Sequence, residues 1–229
     1  MNDNRLRGSQ WQRMVAEFFV PILGGTPTAW AKANRIVLDG ILAPAAWQAR
    51  LRADPDYPGF DHRYQVDWLH RMCHHVGVAA PAEAESVELA HQAVASIVRR
   101  VHAAYPGAIQ AIRMLHARGL LRHTASGKSS RELAGYLEAM GVRDCFCRLF
   151  GPDLINSHKA GPEFYTRLLA DAGVDPHQAL VVDDSPAALR WAAQLGAKTV
   201  LVGAAAMDGF EPALHDNRLE ELPQRLGIE

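Results

Sequence analysis

Cysteine is scarce in this chain, three in 229 residues. The odd number excludes a closed disulfide framework and fits a reducing compartment. Charge of either sign is not in excess: 24 Lys and Arg stand against 25 Asp and Glu, a net charge of −1, spread along the sequence. That balance gives no electrostatic case for a nucleic-acid partner or an anionic membrane. No apolar run approaches the roughly 18 residues that a bilayer crossing needs. The opening MNDNRLRGSQ has no apolar core of the kind a secretory leader carries. Internal repeats and low-complexity tracts are lacking too. A soluble, cytoplasmic protein is expected. What is plentiful is apolar side chain, 48% of residues, enough at this length for one large domain or two small ones.

The pattern divides the chain into an α-helical domain over residues 10–104 and an α/β domain over 105–229. In the first half Trp30, Ala33, Val37, Leu38 and Ile41 keep helical spacing, as do Val66, Leu69, Met72, Cys73 and Val76. A third helix is expected from Ala82 to His102. Pro21 with Gly24-Gly25, the stretch Asp54 to Gly59, and Gly77 to Pro81 read as breaks between helices. After Pro106 helices and strands alternate, which argues for parallel βαβ units. Helices are expected over Gly107–Arg118, from Ser129 to Met140, over Pro162–Ala172, and briefly between Asn217 and Leu226. Strands are expected at Leu120–Thr124 and Cys145–Phe150. Ser129 and Glu132 have capping-box spacing.

The most informative stretch is ALVVDDSPAALRWAAQLGAKTVLV, Ala179 to Val202. Its first apolar run suits a strand covered on both faces. Ser185 and Pro186 form a helix start, and Gly196 a helix stop before a second strand. Asp183-Asp184 then falls at a strand's carboxyl end, where open α/β sheets place ligands. Adjacent carboxylates repel unless a cation or base is near. The other reading makes them turn residues that start the next helix.

Two further groups could join this pair. Thr124 closes its strand before ASGKSS, where a hydroxyl and free backbone N–H groups at a helix start would make an anion site. Alternatively Ser126 and Ser129 merely cap the helix. A P-loop is excluded because its leading glycine would fall at Arg122. Lys159 precedes the helix opened by Pro162 and could neutralise a phosphate or orient a carboxylate; taken singly, it could equally be a solvated lysine. His70, His74 and His75 beside Cys73 offer a fragment of a zinc site, but no further ligands stand out and a structural role is favoured. Cys145-x-Cys147 lacks redox spacing and reads as strand alternation.

Thr124 after a strand, Lys159 with Pro162 and Tyr165 as K-x-x-P-x-x-Y, and VVDDSPAALRWAAQLGA resemble, in order and spacing, three successive motifs of the haloacid dehalogenase-like (HAD) hydrolase superfamily. YPGAIQAIRMLHARG is similar to the helix leading into its second motif. Residues 10–104 resemble the helical cap of phosphoglycolate phosphatase-like members. The resemblance implies a Rossmannoid three-layer α/β core, strand order 3-2-1-4-5, and an inserted α-helical cap. It further implies hydrolysis of a small phosphorylated metabolite through an aspartyl-phosphate, with Mg²⁺ as cofactor. On that basis Thr124, Ala125 and Ser126 would bind the substrate phosphate, Lys159 would steady the phosphoaspartate, and Asp184 with Asp183 would anchor the metal. Dehalogenation is an alternative, since an aspartate nucleophile serves both chemistries.

One departure is decisive. The family's first motif, an apolar strand ending in Asp-x-Asp, supplies the nucleophile, and residues 1 to 10 hold only Asp3. In the family order that strand lies between those at Leu120 and Leu180. Three interior side chains at about 1.5–3 kcal/mol each would be a large share of a domain's stability of roughly 5–15 kcal/mol. The expectation is therefore an amino-terminally truncated hydrolase lacking its first core strand, inactive or nearly so as it stands. The alternative is an inactive binding or regulatory protein with the same fold. Two smaller departures are Ala188, where the family often has an aspartate, and the polar Arg122 and His123. Substrate identity and oligomeric state are not legible.

Overall fold

The structure is a computed structural model describing residues 3–203 and 210–228. It divides into two compact units, one of residues 3–103 with 135–139, the other of residues 104–134 with 140–203 and 210–228.

The first unit is helical: α1 (Asn4–Leu23), α2 (Pro27–Ile41), α3 (Pro44–Ala53), α4 (Tyr57–Val76) and α5 (Glu83–Val98). Three of their starts, those of α1, α2 and α4, carry a side-chain cap. Asp3 accepts the N–H groups of Arg5 and Leu6 at 2.8 and 3.0 Å, and Thr26 and Asp56 cap α2 and α4 with Pro in the first turn of each. The core forms where apolar stripes meet: Phe19 stacks on Trp30 at 4.9 Å and meets Trp68 edge-on at 5.9 Å. Trp68 donates its indole N–H to buried Asn34 Oδ1 at 3.1 Å, which pairs these two polar groups inside the core. The breaks expected at Gly24-Gly25 and from Asp54 fall between helices, but part of each stretch lies inside one. Pro21 sits in the last turn of α1, and Tyr57-Pro58-Gly59 is the first turn of α4, because Pro tolerates a first turn and Asp56 supplies the cap.

The second unit runs α6 (Ala108–Ala117), β1 (His123–Ala125), α7 (Ser130–Ala139, its last turn grouped with the helical unit), β2 (Arg148–Phe150), α8 (Pro152–Ile155), α9 (Pro162–Ala172), β3 (Leu180–Asp183), α10 (Pro186–Gln194), β4 (Lys198–Val202), β5 (Leu214–Asp216) and α11 (Leu222–Arg225). Every pairing is parallel, in two separate sheets, β2-β1 and β3-β4-β5. Helices cover both faces. Phe164, Tyr165 and Leu168 of α9 and Ala188 and Ala192 of α10 share one cluster with Phe150 of β2, and Ala125 of β1 and Val181 of β3 pack against it. On the opposite face Leu115 of α6 and Leu222 of α11 pack with Val200, Val182 and Val202. The three-layer HAD-like core is therefore present with its sheet in two parts under one helical layer.

Several strand expectations change. The run at Ala179–Val182 is not covered as a central strand: Leu180 is 37% exposed and the rest of β3 half-buried, whereas Thr199, Val200 and Leu201 of β4 are buried. The physical reason is lateral. Among the described residues β3 pairs with β4 only and β1 with β2 only, so each has one unpaired edge. β1 starts at His123, leaving Leu120 and Leu121 outside it and exposed. Cys145 closes a 3₁₀ turn, Arg143–Cys145, and β2 starts only at Arg148, so strand alternation does not account for the two cysteines. β5 was not foreseen.

Candidate functional site

The carboxyl ends of β1 and β3 are drawn to one ammonium group. Asn156, at φ 44°, closes α8, and Gly161 in extended backbone with Pro162 opens α9. Between them lies Lys159. Its Nζ donates to the carbonyl oxygen of Ala125 at 2.8 Å and forms an ion pair with Asp183 Oδ2. The side chains are 16% and 9% exposed, so water screens the pair weakly. Asp183 Oδ1 accepts the N–H of Ser185 at 2.9 Å, and Ser185 caps α10. Asp184 lies in the bend just past β3 and is exposed.

Thr124 is 6% exposed and its hydroxyl donates to Phe150 O at 3.1 Å, an oxygen that also accepts the N–H of Ser126 at 3.2 Å. The structure thus gathers Ala125, Lys159 and Asp183 in direct contact, with Thr124 and Ser126 flanking Ala125 on the same strand and turn.

The N-terminus of α7 is occupied from within. Ser129 and Glu132 form the expected capping box, with N–H to carboxylate at 3.3 Å and N–H to hydroxyl at 3.2 Å. Ser130 gives its N–H to Asp153 Oδ1 at 2.7 Å and its hydroxyl to Asp153 Oδ2. Ser126 Oγ accepts the N–H of Lys128 at 3.1 Å. Donors read from the sequence as open to an anion are therefore bonded to internal oxygens. Asp153, in a four-residue helix, carries no sequence signal that would have revealed this contact.

A second group escaped the sequence reading in this role. Tyr165, the last residue of K-x-x-P-x-x-Y, is 0% exposed, and among the described residues its hydroxyl has no hydrogen-bond partner. Burial pushes its ionisation well above the ordinary phenol range, and the charge of Asp183 adds to the shift. An unpaired buried hydroxyl costs about 1–3 kcal/mol.

Mg²⁺ requires several oxygen ligands around it. Among the described residues no group of three or more His, Cys, Asp or Glu side chains could hold a metal ion. Asp183 is already neutralised by Lys159, and Asp184 alone is a weak donor set. The described residues do not by themselves fit the ion, and His70 is used otherwise, its Nε2 lying 2.9 Å from Ser86 Oγ and 3.1 Å from Pro81 O.

Parallel strands roofed by helices thus bring Lys159, Thr124 and Asp183 together at their carboxyl edge, where α/β sheets place ligands. The chain belongs to the haloacid dehalogenase-like hydrolase family, whose profile matches residues 21–196. Among curated proteins it is similar to a phosphoglycolate phosphatase of Mesorhizobium japonicum, 31% identical over 130 residues, 53% of this chain and 57% of that protein. It is also similar to one of Rhodospirillum rubrum, 32% identical over 98 residues, 43% of this chain and 41% of that protein. The matches thus span about half the length of these relatives. Among solved structures the fold resembles a defluorinating L-2-haloacid dehalogenase (TM-score 0.65, 14% identity, 97% and 90% of the two chains). It also resembles a HAD phosphatase from Thermococcus onnurineus (TM-score 0.58, 18% identity, 98% and 92%).

Proposed function

We propose that this chain carries the phosphate-holding side of a cytoplasmic phosphomonoester hydrolase acting on a small phosphorylated metabolite. The observation that carries this reading is the Lys159 ammonium, which joins the end of β1 at Ala125 O to Asp183 at the end of β3, beside buried Thr124. A cation at the carboxyl edge of parallel strands suits a phosphate, whose charge it offsets. The phosphoglycolate phosphatase relatives support phosphate over halide chemistry. Lys159 balances charge on the transferring group and orients the attacking carboxylate; the Thr124 hydroxyl, which gives its proton to Phe150 O in the free chain, turns it to a phosphate oxygen, with Ala125 and Ser126 beside it. The attacking carboxylate comes from a strand seated between β1 and β3, whose unpaired edges and exposed Leu120, Leu121 and Leu180 suit apolar strand addition. Asp183 is not that nucleophile, because its charge is spent on Lys159.

A second reading, binding without turnover, has one observation in its favour: the acidic side chain that meets Lys159 is already ion-paired. One experiment separates the two. The chain given with p-nitrophenyl phosphate and Mg²⁺ is expected to bind inorganic phosphate and release no nitrophenol above background. Extending it with an apolar strand that ends in Asp-x-Asp is expected to restore Mg²⁺-dependent release. Turnover by the unextended chain would overturn the assignment of Asp183. Failure of the extended chain with the phosphate ester would leave the binding reading, and chloride release from 2-chloropropionate instead would move the chemistry to dehalogenation.

A further inference from the structure

We propose that Tyr165 is a positioning residue for Asp183, its hydroxyl becoming the hydrogen-bond donor to that carboxylate when Lys159 turns to a bound anion. The inference rests on the phosphate reading of the Lys159 site and goes beyond it.

In the free protein the phenol is fully buried, yet its hydroxyl is unpartnered among the described residues. Packing does not explain the oxygen. Phe164, its neighbour on α9, is as completely buried in the same cluster without one. The hydroxyl therefore adds only desolvation to the free state and needs another state in which it bonds. Val181 of β3 packs against the cluster that holds Tyr165, and Asp183, two residues on in the same strand, faces the same side, so its charge bears on the phenol.

The present partners of Asp183 leave one of them removable. Ser185 N–H is backbone, fixed by the start of α10. Lys159 Nζ sits on a flexible stem shared between Asp183 and Ala125 O. An anion arriving beside Thr124 competes for that ammonium, and each gain to the ligand is a loss to Asp183. A carboxylate only 9% exposed cannot replace the lost donor freely with water. Tyr165, on the first turns of the helix that Lys159 leads into and in the cluster against which Ala125 and Val181 pack, supplies a neutral donor in its place. The role moves no electrons and breaks no covalent bond; one hydrogen-bond donor to Asp183 replaces another.

The test uses the full chain, inorganic phosphate as the probe, and Tyr165→Phe. Calorimetric titration is expected to give phosphate binding roughly five- to tenfold weaker in the variant. Without phosphate the variant is expected to melt no lower than the parent, since only an unpaired oxygen has gone. In the parent labelled with ¹³Cζ-tyrosine, the resonance missing from the variant is expected to shift as phosphate is added. Equal phosphate affinity in the two proteins would overturn the role of Tyr165 and leave the phosphate site standing, and so would a resonance unmoved at saturation. A parent that binds no phosphate would remove the site reading and this role together. Should the variant not fold, the resonance of the parent, assigned by its proximity to α9 protons, still decides.

Discussion

Lys159 is held by two oxygen atoms from two different sheets, and its removal tests that bridge. Lys159→Met keeps most of the stem's apolar volume and deletes the charge, leaving Asp183 with Ser185 N–H as its remaining partner. Breaking a buried pair by removing one partner costs about 3–5 kcal/mol, and partial exposure of this one lowers the expectation to about 2–3 kcal/mol. The loss is to be read from urea midpoints near neutral pH. Adding Asp183→Asn is expected to recover most of it, because the second change removes the charge that the first left stranded. A single variant as stable as the parent would mean that the ammonium and carboxylate are solvated apart. The same residue shows what a sequence can carry. Lys159, Pro162 and Tyr165 were recognisable as a spacing, and Asp183 as the end of a strand. That Lys159 meets Asp183 and not Asp184 depends on strand pleat and loop path, which no spacing encodes.

Helix starts were the most legible elements, for they rest on local chemistry: Ser129 with Glu132, Pro162, and Ser185 with Pro186 all behave as their residue types require. Strand limits were less so, since the apolar content of Leu120-Leu121 is the same whether or not a neighbour pairs with it. Polar contacts between helices were the least legible. Asp61 of α4 accepts hydrogen bonds from Gln65 (3.0 Å) and from Tyr57 on its own helix, and pairs with His91 of α5 at 2.8 Å. Burial pushes the Asp61 carboxyl up, but the hydrogen bonds of His91 and Gln65 and the charge of His91 outweigh it and hold the group below its usual 3.8. A depressed carboxyl contributes stability above its unfolded value and loses it as pH falls through the folded one. Parent and Asp61→Asn are therefore expected to differ most at pH values above about 4, the parent being more stable, and to converge as pH falls toward 2. Urea midpoints across that range check the sign. A gap that widens on acidification would mean that the pair does not hold Asp61 ionised.

At the scale of the whole molecule, two parallel half-sheets share a helical roof while β1 and β3 each keep an unpaired edge, so the fold presents backbone donors and acceptors beside exposed leucines. Unpaired apolar edges template association with other chains, and a net charge of −1 provides little repulsion to oppose it. Proteins blunt such edges with lysine. Leu121, 78% exposed and two residues before β1, is the place to test this. Leu121→Lys removes little packing, so its melting temperature is expected to stay within about 2 °C of the parent. Light scattering at raised protein concentration is expected to fall. Leu6→Lys makes the same change of charge on α1, in the other unit, at a leucine also exposed. If scattering falls equally in both, net charge governs association. If it falls chiefly with Leu121→Lys, association runs through the edge of β1, the edge at which an added carboxylate-bearing strand would pair, and lysine there should also weaken the restoration of turnover by such a strand.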